Sequence, residues 1–389
     1  MTRRLDLAVI GGGPVGLATA IAARLAGLEV AVFESRPGPP LGPPLDKACG
    51  EGVMPDGAER LASLGVRLPE GAGFRFRGIR WLDGEVEVVG DFPAAPGLGI
   101  RRTALSAALA ERAREVGVEL SWGTEVRGLL PQGLATARGP VEARWVAAAD
   151  GLHSRARRWA DLEAGRHRSG RRRAERPARH HHRFGIRRHY RITPWGDRVE
   201  VHWGERCEAY VTPVAPGEVG VAMLWSGGPA RFDALLDRFP ALSARLAGAP
   251  VASRDRGAGP LRQPVRGVVH GHVALVGDAA GYLDAVTGEG LALGLQQGRA
   301  LVAALCRGDL SHYARAHRRL GRVPSLLTGL LLFAEARPRL RRRLLRALAA
   351  EPAIFGRLLA LHVRQPAPAG MGWRPVVRLG WGVLAGGDS

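Results

Sequence analysis

Apolar residues fall into three rhythms along this chain, and each rhythm predicts a different kind of element. Leu5–Ile10 ("LDLAVI") is a short, continuous β-prone run that stops at glycines, which predicts a buried strand. The alanine-rich "LATAIAARLAG" predicts a helix stopped at Gly27, and "LEVAVFE" predicts a second strand ending at Glu34. Late in the chain "HVALVGD" predicts a strand ending at Gly277-Asp278, with a helix starting near Gly288. Strict alternation marks residues 85–89, Arg198–Trp203 and 208–225, the last folding into a hairpin at Pro216-Gly217. Beyond about residue 310, leucines recur every three or four positions with arginines between them, the pattern of amphipathic helices. The apolar run at 326–334 is broken by Thr328 and Gly329 and falls far short of the roughly 20 residues of a spanning helix.

The first strand ends at Gly11-Gly12-Gly13-Pro14-Val15-Gly16, a G-x-G-x-x-G run. Gly11 permits the tight turn, Gly13 lets a pyrophosphate approach the backbone, and Gly16 lets helix and strand pack closely. The helix start presents free N–H groups and a positive dipole end to phosphates. Glu34 is placed to bond an adenosine ribose. Strand, glycines, helix, strand and terminal acid in this order predict a dinucleotide site.

Composition narrows the class. A chain of 389 residues with 46% hydrophobic content can build two or three domains. Cys49, Cys207 and Cys306 are too few and too scattered for a disulfide scaffold or a zinc site. With no signal-peptide pattern before the first strand, an intracellular, cytoplasmic setting is expected. The net charge of +20 raises nucleic acid and anionic membranes as partners. Much of it lies at 155–191 and 337–346. The first of these stretches lacks apolar periodicity and reads as an exposed loop, without zinc spacing or the aromatic interleaving of an RNA-binding sheet. No specific nucleic acid is expected, and no metal site either, since His180-His181-His182 lack fixed geometry. Although the chain has 56 lysines and arginines, its one lysine is Lys47, in "DKACGEG" after a proline- and glycine-rich loop, and asparagine is absent. Arginine has been used everywhere else, so this position asks for a reason.

Two further motifs, "VAAADGLHSRARR" and "HVALVGDAAGYLDAVTGEGLALG", complete a set of three with the first glycine run. Together they resemble the fingerprints of the flavoprotein monooxygenase superfamily that includes para-hydroxybenzoate hydroxylase, over residues 1 to about 310. The resemblance implies FAD, with NADPH or NADH as electron donor. It implies that Asp278 bonds the ribityl chain and that Asp150 is a positioning residue. "GIRRTAL" matches the arginine-bearing helix start along the FAD, with Arg101 or Arg102 as the candidate. Where typical aromatic hydroxylases carry histidine and proline, this chain has Gly281 and Ala285. Gly288 and Gly290 form the helix start that aims its dipole at the flavin. Glycine after G-D-A-A together with "DKACGEG" resembles the geranylgeranyl reductase-like branch, in which the K-x-C-G loop lies by the flavin ring. Of that branch's P-x-x-Y-x-W-x-F-P strand only Tyr210, at the tryptophan position, and Pro213 remain.

The expected fold is α/β: a Rossmann-like FAD-binding domain with a parallel sheet, a mostly antiparallel substrate sheet, and a C-terminal helical segment. FAD-binding parts are expected at 1–70, 99–160 and 266–310. Substrate-sheet parts are expected at 71–98 and 161–265, and helices at 311–389. Candidate catalytic residues are Lys47, Cys49 and Glu289, with Tyr210 as substrate contact. The leading expectation is monooxygenation of a small apolar, phenolic or polyketide-type substrate through a flavin C4a-hydroperoxide. The alternative is reduction of a C=C bond in a lipid-like substrate, and the rival outside enzymology is a non-catalytic basic nucleic-acid- or membrane-binding protein. Peripheral contact with the inner membrane face is expected to run through the basic C-terminal helices. The halogenase W-x-W-x-I-P signature is absent.

Overall fold

The computed structural model describes residues 4–39, 42–164 and 182–365. Its first half contains β1 (Leu5–Ile10), α1 (Pro14–Leu25), β2 (Val30–Glu34), β3 (Gly52–Val53) and α2 (Pro55–Ser63). These lead into β4 (Phe74–Phe76), β5 (Gly78–Asp83), β6 (Val86–Asp91), β7 (Gly97–Gly99) and α3 (Arg102–Glu115). Next come β8 (Glu119–Trp122), β9 (Val126–Leu130), β10 (Gly133–Thr136), β11 (Gly139–Ala148) and α4 (Arg155–Trp159). The second half holds β12 (Arg183–Arg191), β13 (Arg198–Trp203), β14 (Cys207–Ala215), β15 (Glu218–Ser226), α5 (Phe232–Leu236) and α6 (Pro240–Leu246). After these come β16 (Arg256–Ala258), β17 (Val269–His270) and β18 (Val273–Leu275). The chain then turns into α7 (Gly290–Cys306), α8 (Ser311–Glu335), α9 (Pro338–Ala350) and α10 (Pro352–His362).

The first sheet has the parallel core β18-β11-β1-β2-β8. Its register sets Phe33, Ile10, Ala148 and Leu275 in one row. All four strands therefore end at one edge, and each runs within three residues into a fingerprint: Gly11–Gly13, Glu34, Asp150 or Gly277-Asp278. The expected α/β architecture is the observed one. α1, α3 and α7 bury apolar faces against this sheet, and Leu7, Val9, Leu17, Ile21 and Leu109 are sealed in its core. Apolar side chains on both faces of β1 explain why it reads as a continuous run instead of an alternation.

The second sheet runs β16-β12-β15-β14-β13-β5-β6, antiparallel except where β13 meets β5. Its alternation was legible at β13, and the hairpin turns at Pro216-Gly217 as expected. α9 and α10 pack on β6, placing Phe355 and Leu359 in a core with Phe76, Val88 and Trp203.

One expectation needs correcting. The basic stretch 155–191 is not a loop throughout: its start is α4 and its end is β12. In β12 the residues facing inward are Arg183, Gly185, Arg187 and His189, while Phe184 and Ile186 are only half-buried. The period of two is present with its polarity inverted, and buried carboxylates on other elements make that arrangement stable. Residues 165–181, with His180 and His181 among them, lie outside the described residues.

Candidate active site

A cavity of about 820 Å³ runs from the first glycine turn, past the ends of β11 and β18, to the C-terminal helices. The glycines shape its phosphate end. Gly11 has φ +104°, and a side chain there would meet the Ala149 carbonyl oxygen at 2.6 Å. A Cβ on Gly16 would lie 2.0 Å from the Gly11 carbonyl oxygen, whereas one on Gly13 would point into open space. The first two positions are closed by packing, and the third leaves the opening that a pyrophosphate needs. No side chain caps the start of α1, so its N–H groups remain available there.

Glu34 is buried on the cavity wall. Its carboxylate accepts the Gly12 N–H at 3.0 Å and the Arg36 N–H at 3.0 Å. Asp150 accepts the Ser154 hydroxyl at 2.6 Å and the N–H groups of Arg155 and Ala156, and so caps α4. Buried Arg157 donates to the carbonyls of Leu152 and Ala279 and to Gln263, tying this loop to the Gly277-Asp278 turn. Gln297 of α7 accepts the Gly277 N–H at 2.8 Å. Gly288 has φ +69° and α7 begins at Gly290, two residues past the expected start, with both glycines on the cavity wall. This open glycine cradle, the buried acid beside it and the long cavity beyond fit FAD.

Lys47 donates to Asp278 at 2.6 Å. The one lysine of the chain thus reaches the proposed ribityl aspartate with a compact ammonium. Cys49 also lines the cavity, and its sulfur accepts from Arg102 Nη2 at 2.8 Å and from the Glu51 N–H at 3.3 Å. Arg101 turns away and pairs with Glu218. Of the two arginine candidates, Arg102 is the one on the cavity.

Glu289 is buried behind the wall rather than on it. Burial pushes its carboxyl up to about 7, and one of its oxygens has no hydrogen-bond partner. Its neighbour His362, with Nδ1 at 3.8 Å, lines the cavity; burial pushes this imidazole down to about 4, so the contact carries no imidazolium at neutral pH. Tyr210 faces the cavity while its hydroxyl donates to the Val286 carbonyl at 3.0 Å. Burial raises the phenols of Tyr210 and Tyr282 well above the ordinary value, leaving two neutral hydroxyls in the wall. Among the described residues no group of three His, Cys, Asp or Glu side chains could hold a metal ion.

Sequence reasoning missed two buried networks. In one, Glu51 meets His189 and Arg187 beneath Cys49. In the other, Arg183 serves Glu208 at 2.7 Å, Asp284 at 2.9 Å and Glu335 at 3.4 Å. The available signal was the spacing of Arg183, Arg187 and His189 at even intervals in β12. Beyond these, the outer wall of the cavity is apolar, formed by Leu331, Leu344, Leu348, Phe355 and Leu359. At its mouth Leu330, Phe333 and Leu358 are exposed.

These features fit an FAD site, and the comparisons agree with that fit. Residues 4–173 match the family model described as FAD binding domain. That match covers somewhat less than half of the chain and gives its first part an FAD-binding domain. It is 28% identical over 331 residues to a menaquinone reductase of Mycobacterium tuberculosis, covering 79% of this chain and 78% of that protein. It is 34% identical over 169 residues to the FAD-dependent monooxygenase OpS4 of Beauveria bassiana, covering 39% and 38%. The matches above 30% identity thus span only 31% and 38% of the curated relatives concerned. In fold it is similar to a flavoprotein/dehydrogenase from Cytophaga hutchinsonii, with a TM-score of 0.75 at 17% identity, covering 93% of each chain. No helix among the described residues is long and apolar enough to cross a membrane.

Proposed function

We propose that this protein is an FAD-dependent reductase that saturates a C=C bond in a long, apolar, lipid-like substrate, with NADPH or NADH as electron source. The observation that carries the reading is the continuous apolar wall from Cys49 and Tyr210 to the exposed rim at Leu330, Phe333 and Leu358. A small phenol would not need such a channel; an extended hydrocarbon would. FAD, when bound, supplies the two-electron chemistry. The protein orients the chain in a dry channel, and the neutral Tyr210 and Tyr282 hydroxyls avoid placing charge beside it.

The similarity to a menaquinone reductase supports this order of preference, because a match over 79% of the chain reaches well past residue 173 into the substrate region. Oxygen insertion is the second reading, supported by the match to OpS4 over 39% of the chain. The rim also favours delivery from a bilayer. Exposed Leu326, Leu330, Phe333 and Leu361 share α8 and α10 with the arginine-rich α9, and Arg337 stacks on Phe333 at 3.8 Å. Apolar side chains fringed by arginine complement an anionic lipid surface.

The test is product mass. The photoreduced, FAD-loaded protein is incubated anaerobically with a micellar geranylgeranyl lipid or menaquinone. A gain of two hydrogen atoms that persists after reoxidation in air supports C=C reduction, because a quinol would lose its two hydrogens there. Gain of one oxygen atom, seen only in air, would establish the second reading. No change under either condition would overturn the substrate class.

A further inference from the structure

The second half of α8 walls the channel and is held differently from the first half. In the first half, buried Tyr313 donates its hydroxyl to the Leu275 carbonyl at the end of β18. Pro324 then interrupts the helix from inside. Having no N–H, it leaves the Leu320 carbonyl, four residues back, without its helical partner. Arg364 fills that place: its Nη2 donates to the Leu320 carbonyl at 3.0 Å, while its Nη1 donates to Gln296 of α7. The break is thus fixed in position by a cation from beyond α10.

Past Pro324 the helix is lightly seated. Of residues 325–335, only Thr328, Ala334 and Glu335 are buried. Leu327, Leu331 and Ala334 line the cavity, and Leu330 and Phe333 stand exposed at its mouth. α9, which follows, is bolted to the end of β5 by the buried pair of Arg341 and Asp83 at 2.8 Å. Between these two anchors the tip of α8 is held by Glu335. Its oxygen lies 3.4 Å from Arg183 Nη1, and neither of these two atoms makes a hydrogen bond. Glu208 of β14 and Asp284 hold the same guanidinium more closely, at 2.7 and 2.9 Å. Three carboxylates compete for one cation, and the one on α8 has the weakest hold.

We propose that residues 325–335 are the gate of the channel, pivoting at Pro324 and latched at the tip by Glu335 on Arg183. Proline breaks and element ends are where such movements pivot. Opening carries Leu330 and Phe333 outward and widens the mouth for an extended apolar molecule. The latch answers to pH, because burial pushes the Glu208 carboxyl up to about 7 and raises that of Asp284. While these two hold protons, the guanidinium is left to Glu335. As pH rises through about 7, Glu208 ionises, claims Arg183 and repels Glu335, so the gate loosens. The other groups around the cluster keep their charge over that range. Burial pushes the Cys207 thiol up to about 12 and keeps the Tyr210 and Tyr282 phenols neutral, and Arg183 and Arg238 stay cationic. The gate goes beyond the reductase reading, since it concerns entry and not what is done to the molecule that enters.

The test follows entry of N-phenyl-1-naphthylamine, an uncharged apolar fluorophore, into the FAD-loaded protein by stopped flow at about pH 6 and about pH 8. Wild type is expected to admit the probe faster at the higher pH. Glu335→Gln is expected to be fast at both, by at least about tenfold over wild type at the lower pH. Glu208→Gln, which removes the rival charge, is expected to stay slow at both. Mere structural loosening would speed both glutamine variants alike and would overturn the latch. Equal rates in all three proteins, or no uptake by any of them, would overturn it too. Should either variant fail to fold, amide exchange of wild type decides: protection of residues 325–335 has to fall from the lower to the higher pH while that of α7 holds. Unchanged protection there sinks the gate. No turnover is measured, so a failed product assay removes the reductase reading without touching this result, and the converse also holds.

Discussion

The two ends of the cavity are built on opposite principles. At the phosphate end, glycines and backbone N–H groups do the work, and the partners lie close in sequence: Gly11 packs against Gly16, and α1 begins within four residues of β1. At the other end, toward the C-terminal helices, buried charges recruited from distant segments do it. Arg183 gathers Glu208, Asp284 and Glu335, and Glu51 meets His189 138 residues away. At Gly11 and Gly16 the backbone cradle tolerates no added atoms, whereas a charge network tolerates shape changes but not the loss of one partner. The first region should fail by clash and the second by unpaired charge.

The largest effect is expected from Gly16→Val, because even the first carbon of the side chain would overlap the Gly11 carbonyl. The purified protein should be colourless, with a flavin-to-protein absorbance ratio near zero; yellow protein would show that the turn can shift. Next is Arg183→Met, which strands three buried carboxylates and should cost about 3–5 kcal/mol in chemical unfolding. A loss under about 1 kcal/mol would mean that those carboxyls simply take up protons, and the contrast with the glycine end would weaken.

A pH series sharpens the same point. Burial raises the Glu289 carboxyl from 4.5 to about 7, so the folded state holds this proton more tightly than the unfolded chain. The contribution is complete below about pH 4.5 and is lost as pH rises through about 7, with a magnitude of roughly 3 kcal/mol. The unfolding free energy of Glu289→Gln should therefore lack this decline between pH 5 and 8. His362, pushed down by burial, acts in the opposite sense: its contribution is present above pH 6.5 and lost as pH falls through about 4. Comparing wild type and variant at each pH cancels the histidine part.

The smallest effect on stability is expected at the rim. Leu330→Asp changes an exposed residue and should leave unfolding within about 0.5 kcal/mol of wild type. It should nevertheless reduce co-sedimentation with phosphatidylglycerol vesicles. Equal binding by wild type and variant would exclude this face as the lipid contact.

How much was legible follows the same division. The three fingerprints, the β1–α1–β2 unit and the hairpin at Pro216-Gly217 could be read directly, because turn glycines, strand runs and helix periods are local properties. Asp278 and Cys49 were identified through their motifs, and the structure adds that Lys47 holds the one and Arg102 the other. β12 was misread as loop because its inward face carries Arg183, Arg187 and His189, and hydrophobic patterning is blind to a strand whose buried face is polar. Glu289 was expected as a catalytic candidate at the start of α7, but its position behind the cavity wall depends on how α7 and α10 pack.

The sequence by itself determined the dinucleotide cradle, the β1–α1–β2 unit and the amphipathic character of the C-terminal segment. Each of these is written in spacings of a few residues and in the conformations that glycine alone permits. Only the tertiary structure decided which arginine reaches Cys49 and which carboxylates Arg183 gathers. Those pairings join residues far apart in the chain. A buried charge is stable only beside a partner that folding brings to it, and no local pattern records which partner that will be.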